Sequence, residues 1–146
     1  MPRQNTYHSS LFTNNQRYSR NCDKKYFYYE SIQVKVNVTG YYSFRSYSGT
    51  DVYGLIYRNV FNPLNPSENQ FSADDDSEPN LQFRLNIRLT DDMTYVLVVT
   101  TSQTKQTSAF SIVALGDGQV TFKSISKCMY AFTMLVFKEH FNQVHQ

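Results

Sequence analysis

Four aspartates are the residues best suited to hold a metal ion. Asp74, Asp75 and Asp76 are consecutive, Glu78 follows closely, and Asp51 lies upstream beside a predicted strand. Calcium takes about six to eight oxygen ligands, and adjacent carboxylates on one loop supply several of them. The spacing differs from that of an EF-hand loop. The two interpretations are a calcium site at Asp51 and residues 74–76, and a solvated acidic turn whose aspartates cap backbone donors.

Asn37 begins the sequence Asn-Val-Thr, which is a sequon for N-glycosylation. The residue falls on the polar side of a predicted strand, so an attached glycan would project into solvent. Sequons also arise by chance, and an unmodified asparagine is the alternative.

No catalytic constellation is recognisable. His8, His140 and His145 lie near the chain ends, and the last two lack the spacing of a helical zinc pair. G-x-S-x-G, P-loop and CxxC motifs are absent from the sequence. Asp91 and Asp92 occupy a predicted turn, where aspartates serve the backbone. We therefore expect a protein that is not an enzyme and that uses no cofactor other than Ca²⁺.

Cys22 and Cys128 are the two cysteines of the chain. They form either one disulfide between the ends of the domain or two unrelated free thiols. A disulfide would close a loop through most of the chain and stabilise the fold by roughly 4–5 kcal/mol in the chain-entropy model.

The elements that carry these candidate residues are predicted to be strands, because apolar residues recur at every second position. Ile32, Val34 and Val36 share one face of a strand, and residues 83–89 alternate in the same way. Residues 95–99 are apolar throughout, which predicts a central strand. Residues 58–80 contain three prolines and predict a long loop. About seven or eight strands separated by turns predict an all-β fold, an antiparallel β-sandwich.

The length and charge of the chain limit its function. The 146 residues suit one domain, and 14 basic against 12 acidic residues are too balanced for a nucleic-acid binder. The sequence lacks an apolar run long enough to span a membrane. We divide the chain into an extended N-terminal arm (1–25), a β-sandwich domain (26–122) and a C-terminal tail (123–146). The tail either packs on the sandwich or extends it.

The N-terminal arm is polar and carries few apolar anchors. The anchors are Tyr7, Leu11, Phe12 and Tyr18. An arm of this kind can complete the sheet of a neighbouring subunit by strand addition. A repeated head-to-tail contact of this type builds a filament. A frayed terminus is the alternative.

Tyrosines are dense in the first half of the sandwich. They either form an aromatic face for sugars or partners, or pack within the core and across strands. We expect Tyr41 and Tyr47 to be the most exposed. The full set is Tyr26, Tyr28, Tyr29, Tyr41, Tyr42, Tyr47, Tyr53 and Tyr57.

A set of motifs in residues 28–122 resembles a known family. The motifs are D-V-Y-G-L-I-Y at 51–57, two Asn-Pro pairs, D-D-D-S at 74–77, T-Y-V-L-V-V-T-T at 94–101 and F-S-I at 110–112. Together they resemble bacterial pre-peptidase C-terminal domains, and more closely a group of extracellular β-domains from bdelloid rotifers. The resemblance implies a jelly-roll-like sandwich that serves in adhesion or assembly, with calcium binding in some members.

Two functions follow as hypotheses. The first is a non-catalytic extracellular structural protein that self-assembles, with filaments built through the arm. The second is a monomeric carbohydrate- or matrix-binding module that uses calcium in one version. The first ten residues are polar and lack a signal sequence. The expected extracellular location therefore depends on the resemblance, the sequon and the β-rich composition.

Overall fold

The chain folds into strands, as the alternating pattern predicts. A computed structural model describes residues 2–21, 23–75 and 78–125. Their ordered elements are one short 3-10 turn, Pro79–Leu81, and ten strands. The strands are β1 (Arg3–Leu11), β2 (Gln16–Tyr18), β3 (Phe27–Val36), β4 (Gly40–Ser48), β5 (Val52–Arg58), β6 (Gln70–Asp74), β7 (Arg84–Leu89), β8 (Tyr95–Thr101), β9 (Ser108–Gly116) and β10 (Val120–Ser124).

The strands form two antiparallel sheets packed face to face, so the predicted β-sandwich is confirmed. Sheet A has the strand order β1-β9-β4-β7, and sheet B has the order β10-β3-β8-β5-β6. The short β2 also pairs with β3, beyond the end of β10. Without the short strands β2 and β10, the remaining eight strands form two four-stranded sheets, β1-β9-β4-β7 and β3-β8-β5-β6, in the strand order of a jelly roll.

The main core lies between the two sheets. Every second residue of β7 is buried, and Ile32, Val34 and Val36 of β3 are buried on one face as predicted. The largest apolar side chains of this core include Phe44, Phe83 and Ile112. Strict alternation therefore identifies the inward side of these strands, because one face packs against the other sheet and the opposite face meets water.

A second apolar cluster covers much of the outer face of sheet B. Tyr95, Leu97 and Val99 of β8 belong to the main core, whereas Val96 and Val98 belong to the second cluster. This arrangement explains why β8 is apolar on both faces and confirms its central position in the sheet.

Aromatic rings hold the second cluster together. Phe61, which comes from the loop after β5, lies 4.8 Å from Tyr57 and 5.3 Å from Tyr18 between ring centroids. Its ring is also 5.2 Å from that of Tyr29. One loop side chain thus contacts rings from three strands.

The prediction that residues 1–25 form a separate N-terminal arm is wrong. β1 pairs with β9 along nine residues, and β2 pairs with β3. Leu11 and Tyr18 are buried in the main core and in the second cluster, and Tyr7 packs against the main core. The sandwich therefore begins at β1 rather than at residue 26. The pattern was hidden because the inner side of β1 alternates Asn5, Tyr7 and Ser9, which are not aliphatic.

Two further boundaries differ from the sequence prediction. The predicted loop at 58–80 contains β6, which pairs with the edge of β5. β10 continues to Ser124, so the sandwich extends past residue 122 into the predicted tail. The rest of the tail, residues 126–146, lies outside the described residues.

Candidate functional site

Asp74 and Asp75, the described aspartates of the acidic loop, accept hydrogen bonds from nearby donors. Asp74 Oδ2 accepts a hydrogen bond from the backbone N–H of Arg84 at 2.8 Å. Asp75 Oδ1 accepts one from Ser102 Oγ at 2.5 Å, and the Ser102 N–H donates to the Asp51 carbonyl at 3.1 Å. These contacts fit the interpretation in which aspartates serve nearby donors.

A calcium site at this loop stays a prediction. Asp76 lies outside the described residues, and within the described ones no three His, Cys, Asp or Glu side chains converge to hold a metal ion. Asp51 Oδ1 is buried and has no hydrogen-bond partner among the described residues. The melting temperature in calcium and in chelator tests the site, because a ligand that binds the folded state raises it.

Asn37 lies in the turn after β3 and is exposed, as a glycan acceptor must be. Its Oδ1 accepts a hydrogen bond from Gln119 N at 2.7 Å. Thr39 of the sequon exchanges hydrogen bonds of 2.9 Å with Asp91. Occupancy of the sequon stays a prediction, as does the Cys22–Cys128 disulfide, since both cysteines lie outside the described residues.

The tyrosines divide into a buried and an exposed group. Tyr29, Tyr42 and Tyr57 are buried. Tyr41 is 71% exposed and Tyr47 is 46% exposed, as predicted for these two residues. Both belong to β4, where they point to the outer face of sheet A.

The outer face of sheet A brings together side chains from four strands. Tyr41 lies opposite Arg88, and Ser43 lies between Asn86 and Leu115. The next rows place Arg45 between Arg84 and Val113, then Tyr47 opposite Ser111. Thr6 and His8 of β1 continue these rows, and His8 Nδ1 lies 2.7 Å from Ser111 Oγ. We call this surface the platform.

The platform has a shallow depression at one end and a tyrosine at each end of β4. The depression has a volume of about 440 Å³, and Tyr41, Ser43, Asn86, Arg88 and Leu115 contribute to its lining. Tyr47 lies six positions after Tyr41, which corresponds to roughly 20 Å along a strand at about 3.3 Å per residue.

An arginine pair lies at the centre of the platform. Arg45 and Arg84 are directly opposite each other on β4 and β7, where like charges repel. Glu78 offsets the repulsion: its carboxylate is 3.1 Å from Arg84 and 4.0 Å from Arg45. The Arg45 guanidinium also lies 4.6 Å from the centroid of the Tyr47 ring, in cation–π contact.

The exposure of Tyr41 and Tyr47 was predictable from the sequence, but the side chains that surround them were not. Asn86 and Arg88 were visible as the polar positions of an alternating strand, yet their cross-strand neighbours depend on register. Glu78 was grouped with the aspartates of the acidic loop, although its carboxylate binds the arginine pair. Its contacts depend on how the loop folds back towards β7.

The fold and this surface define an antiparallel β-sandwich of jelly-roll strand order with one open sheet face. No protein-family model and no curated protein sequence matches the chain. Among solved structures, the Yersinia pseudotuberculosis-derived mitogen is similar, with a TM-score of 0.47 and 14% sequence identity. The match covers 78% of this chain and 86% of the mitogen chain. At this level of similarity the comparison carries no inference for this chain. Within the described residues, no helix is long and apolar enough to cross a membrane.

Proposed function

We propose that the protein is a non-catalytic carbohydrate-binding module that works outside the cell and binds glycans on the platform. The observation that carries the proposal is the exposure of Tyr41 and Tyr47 on the open sheet face. Their neighbours on the platform include hydrogen-bonding side chains such as Ser43, Asn86 and Arg88, beside the apolar Leu115. Exposed aromatic rings bordered by polar side chains are a feature of ligand-binding surfaces.

The chemistry of the platform suits a sugar chain. Tyrosine rings offer flat apolar surfaces on which the C–H faces of sugars pack. Asn86 and Ser43 offer both donors and acceptors for sugar hydroxyls, and Arg88 offers donors alone. Because the two rings lie at opposite ends of β4, an extended oligosaccharide can reach both, whereas a single sugar cannot.

Titration calorimetry with neutral glycan oligomers tests the proposal. The Tyr41→Ala and Tyr47→Ala variants should each weaken binding, and their combination should abolish it. Leu64→Ala is the matched control, because Leu64 is also exposed and apolar but lies in the loop after β5. Wild-type protein that binds no glycan, or binding that survives in the double variant, would refute the platform.

A second candidate function, self-assembly, has its own observation. β1 is a nine-residue edge strand that, among the described residues, pairs with β9 alone. It contains a single permanent charge, Arg3, whereas natural edge strands are commonly protected by several charges. We propose edge-to-edge pairing of β1, in place of donation of a free arm, as the route to an oligomer or filament.

Electron microscopy and light scattering of the purified chain test self-assembly. Thr6→Lys and Ser10→Lys in β1 should block pairing at the edge, whereas Leu64→Lys in the exposed loop after β5 should leave it intact. Monodisperse wild-type particles at high concentration would count against assembly. A monodisperse protein would leave the carbohydrate-binding proposal unaffected.

A further inference from the structure

The edge of sheet B is interrupted at Glu30 and Ser31. β2 pairs with residues 27–29 of β3, and β10 pairs with residues 32–36 along the same edge. Neither strand pairs with Glu30 or Ser31, although Ile125 N donates to the Ser31 carbonyl at 3.0 Å. A pocket of about 210 Å³ opens at this gap, and we call it the notch.

The walls of the notch are mostly polar. Asn14, Gln16, Glu30, Ser31 and Ser124 contribute to the lining. Ser31 is only 4% exposed, and its hydroxyl has no hydrogen-bond partner among the described residues. Adjacent side chains of a strand point to opposite faces, so the group of β3 that a ligand meets in the notch is the Glu30 carboxylate rather than the Ser31 hydroxyl.

The Glu30 carboxylate is held in place by neutral donors. The Tyr7 hydroxyl donates to Oε2, and Ser9 Oγ donates to Oε1 at 2.5 Å. A carboxylate has about four acceptor positions, so about two remain for a ligand.

Among the described residues, no cationic side chain forms an ion pair with Glu30. The ion pairs among the described residues are those of Glu78 with Arg45 and Arg84, on the other sheet. A half-buried carboxylate without a counter-charge attracts a cation more strongly than an exposed one, because water screens it less. The notch therefore favours a positively charged group over a neutral or an acidic one.

A wider groove extends from the notch. Asn15, Gln16 and Tyr29 line both cavities, and the groove has a volume of about 810 Å³. Its far wall carries Tyr26, whose ring is 44% exposed, together with Arg17. The Arg17 guanidinium lies 5.9 Å from the centroid of the Tyr26 ring. The groove thus continues the notch with a ring surface on which a sugar can pack.

From these contacts we propose that the notch is a binding site for an amino sugar. The protonated amine of the sugar donates to the acceptor positions of Glu30 that Tyr7 and Ser9 leave open. The sugar hydroxyls bond to Gln16 and Asn14, and the next sugar of a chain packs on Tyr26. This site lies on sheet B and is separate from the platform on sheet A.

Three sugars that differ in one substituent test the proposal. Glucosamine, N-acetylglucosamine and glucose carry an amine, an amide and a hydroxyl at the same carbon. Calorimetry on the full chain, with short oligomers of equal length and at a pH where the amine is protonated, compares them. We expect the glucosamine oligomer to bind about tenfold more tightly or better, as for a hydrogen bond to a charged group. Equal affinities for the three, or no binding, would overturn the site.

Variants identify the residues responsible for the preference for glucosamine. Glu30→Gln keeps the size of the side chain but removes its charge, so the preference for glucosamine should disappear. Glu68→Gln, in the loop after β5, is the matched control and should retain it. The combined variant Tyr41→Ala and Tyr47→Ala should also retain the preference. Its loss there would assign amine binding to the platform and overturn the notch.

A measurement on the unmodified protein guards against a variant that does not fold. In backbone NMR spectra, glucosamine should shift the amide signals of Gln16, Glu30 and Ser31, and glucose should shift them less. Shifts confined to β4 and β7 would overturn the proposal.

Discussion

The two outer faces of the sandwich both carry tyrosines but differ in what surrounds and covers them. On sheet B, Phe61 and Tyr18 pack over Tyr29 and Tyr57 and exclude water from much of the surface. Arg20 adds to this cover, with its guanidinium 3.7 Å from the centroid of the Phe27 ring. On sheet A, Tyr41 and Tyr47 remain exposed.

The difference arises from both the strands and the connections. β3, β5 and β8 present apolar side chains to the outer face of sheet B, whereas the outer side chains of β4 and β7 are mostly polar. The loop after β5 supplies Phe61, and the segment between β1 and β3 supplies Tyr18 and Arg20. Among the described residues, no comparable apolar cluster covers the outer face of sheet A. A tyrosine is therefore a stability residue on one face and a candidate binding residue on the other. The following predictions test this contrast.

Phe61→Ala should have the largest effect on stability. Truncation of a buried phenylalanine costs about 3–5 kcal/mol, because it removes apolar contacts and leaves a cavity. Urea denaturation measures the loss. Leu64→Ala, in the same loop but exposed, should change stability by less than about 0.5 kcal/mol. If the two variants were equally stable, the second cluster would not be a structural core.

High pH should destabilise the protein through its buried tyrosines. Burial raises the pKa of Tyr18 and of Tyr29 above the ordinary value of 10.0. Burial, and then the hydrogen bond to Glu30, raises the pKa of Tyr7 to about 12. Because the folded state holds these protons more tightly, their contribution is complete below the unfolded pKa and is lost as the pH rises through the folded one.

Denaturation curves between pH 9 and about 12 measure this loss of stability. Tyr29→Phe should reduce the dependence of the unfolding free energy on pH, because phenylalanine has no proton to lose. An unchanged slope in that variant would show that Tyr29 is not protected from water by the second cluster.

Tyr41→Ala should affect binding but not stability. Its ring is exposed, so we expect the free energy of unfolding to change by less than about 0.5 kcal/mol. Glycan affinity should fall by roughly 0.5–1.5 kcal/mol, the usual contribution of a stacked ring. A large loss of stability with unchanged binding would make the two sheet faces equivalent and remove the contrast.

Glu78→Gln should have the smallest effect. Without the carboxylate, Arg45 and Arg84 repel each other across the strands, at a cost of about 0.2–1 kcal/mol. The loss should shrink in high salt, because both arginines are partly exposed and salt screens them. Arg84→Gln added to that variant should recover part of the loss. If salt has no influence, the effect of Glu78 is not electrostatic.

Local patterns predicted several elements correctly. The alternation in β3 and β7 was recognised because one face meets the core and the other is more exposed. β8 was recognised as central because both of its faces are apolar. β1 was missed since its inner side carries Asn5, Tyr7 and Ser9, and β6 was missed because it lies in a segment rich in proline and acidic residues.

The candidate sites were less accessible to sequence analysis. The exposure of Tyr41 and Tyr47 was predicted, but the contact of Glu78 with two arginines was not. The notch was not predicted either, because Asn14, Glu30 and Ser124 come from three separate parts of the chain. Apolar residues at every second position show which side chains share a face, but they do not show which distant segments meet at one edge of a sheet.

The sequence by itself determined where most strands begin and end and which of their residues share a face, because backbone geometry places alternate side chains on opposite sides. Only the tertiary structure decided which outer face is covered. That outcome depends on where segments from other parts of the chain come to lie, because Phe61 of a loop and Tyr18 of β2 complete the apolar cover of sheet B while sheet A stays open.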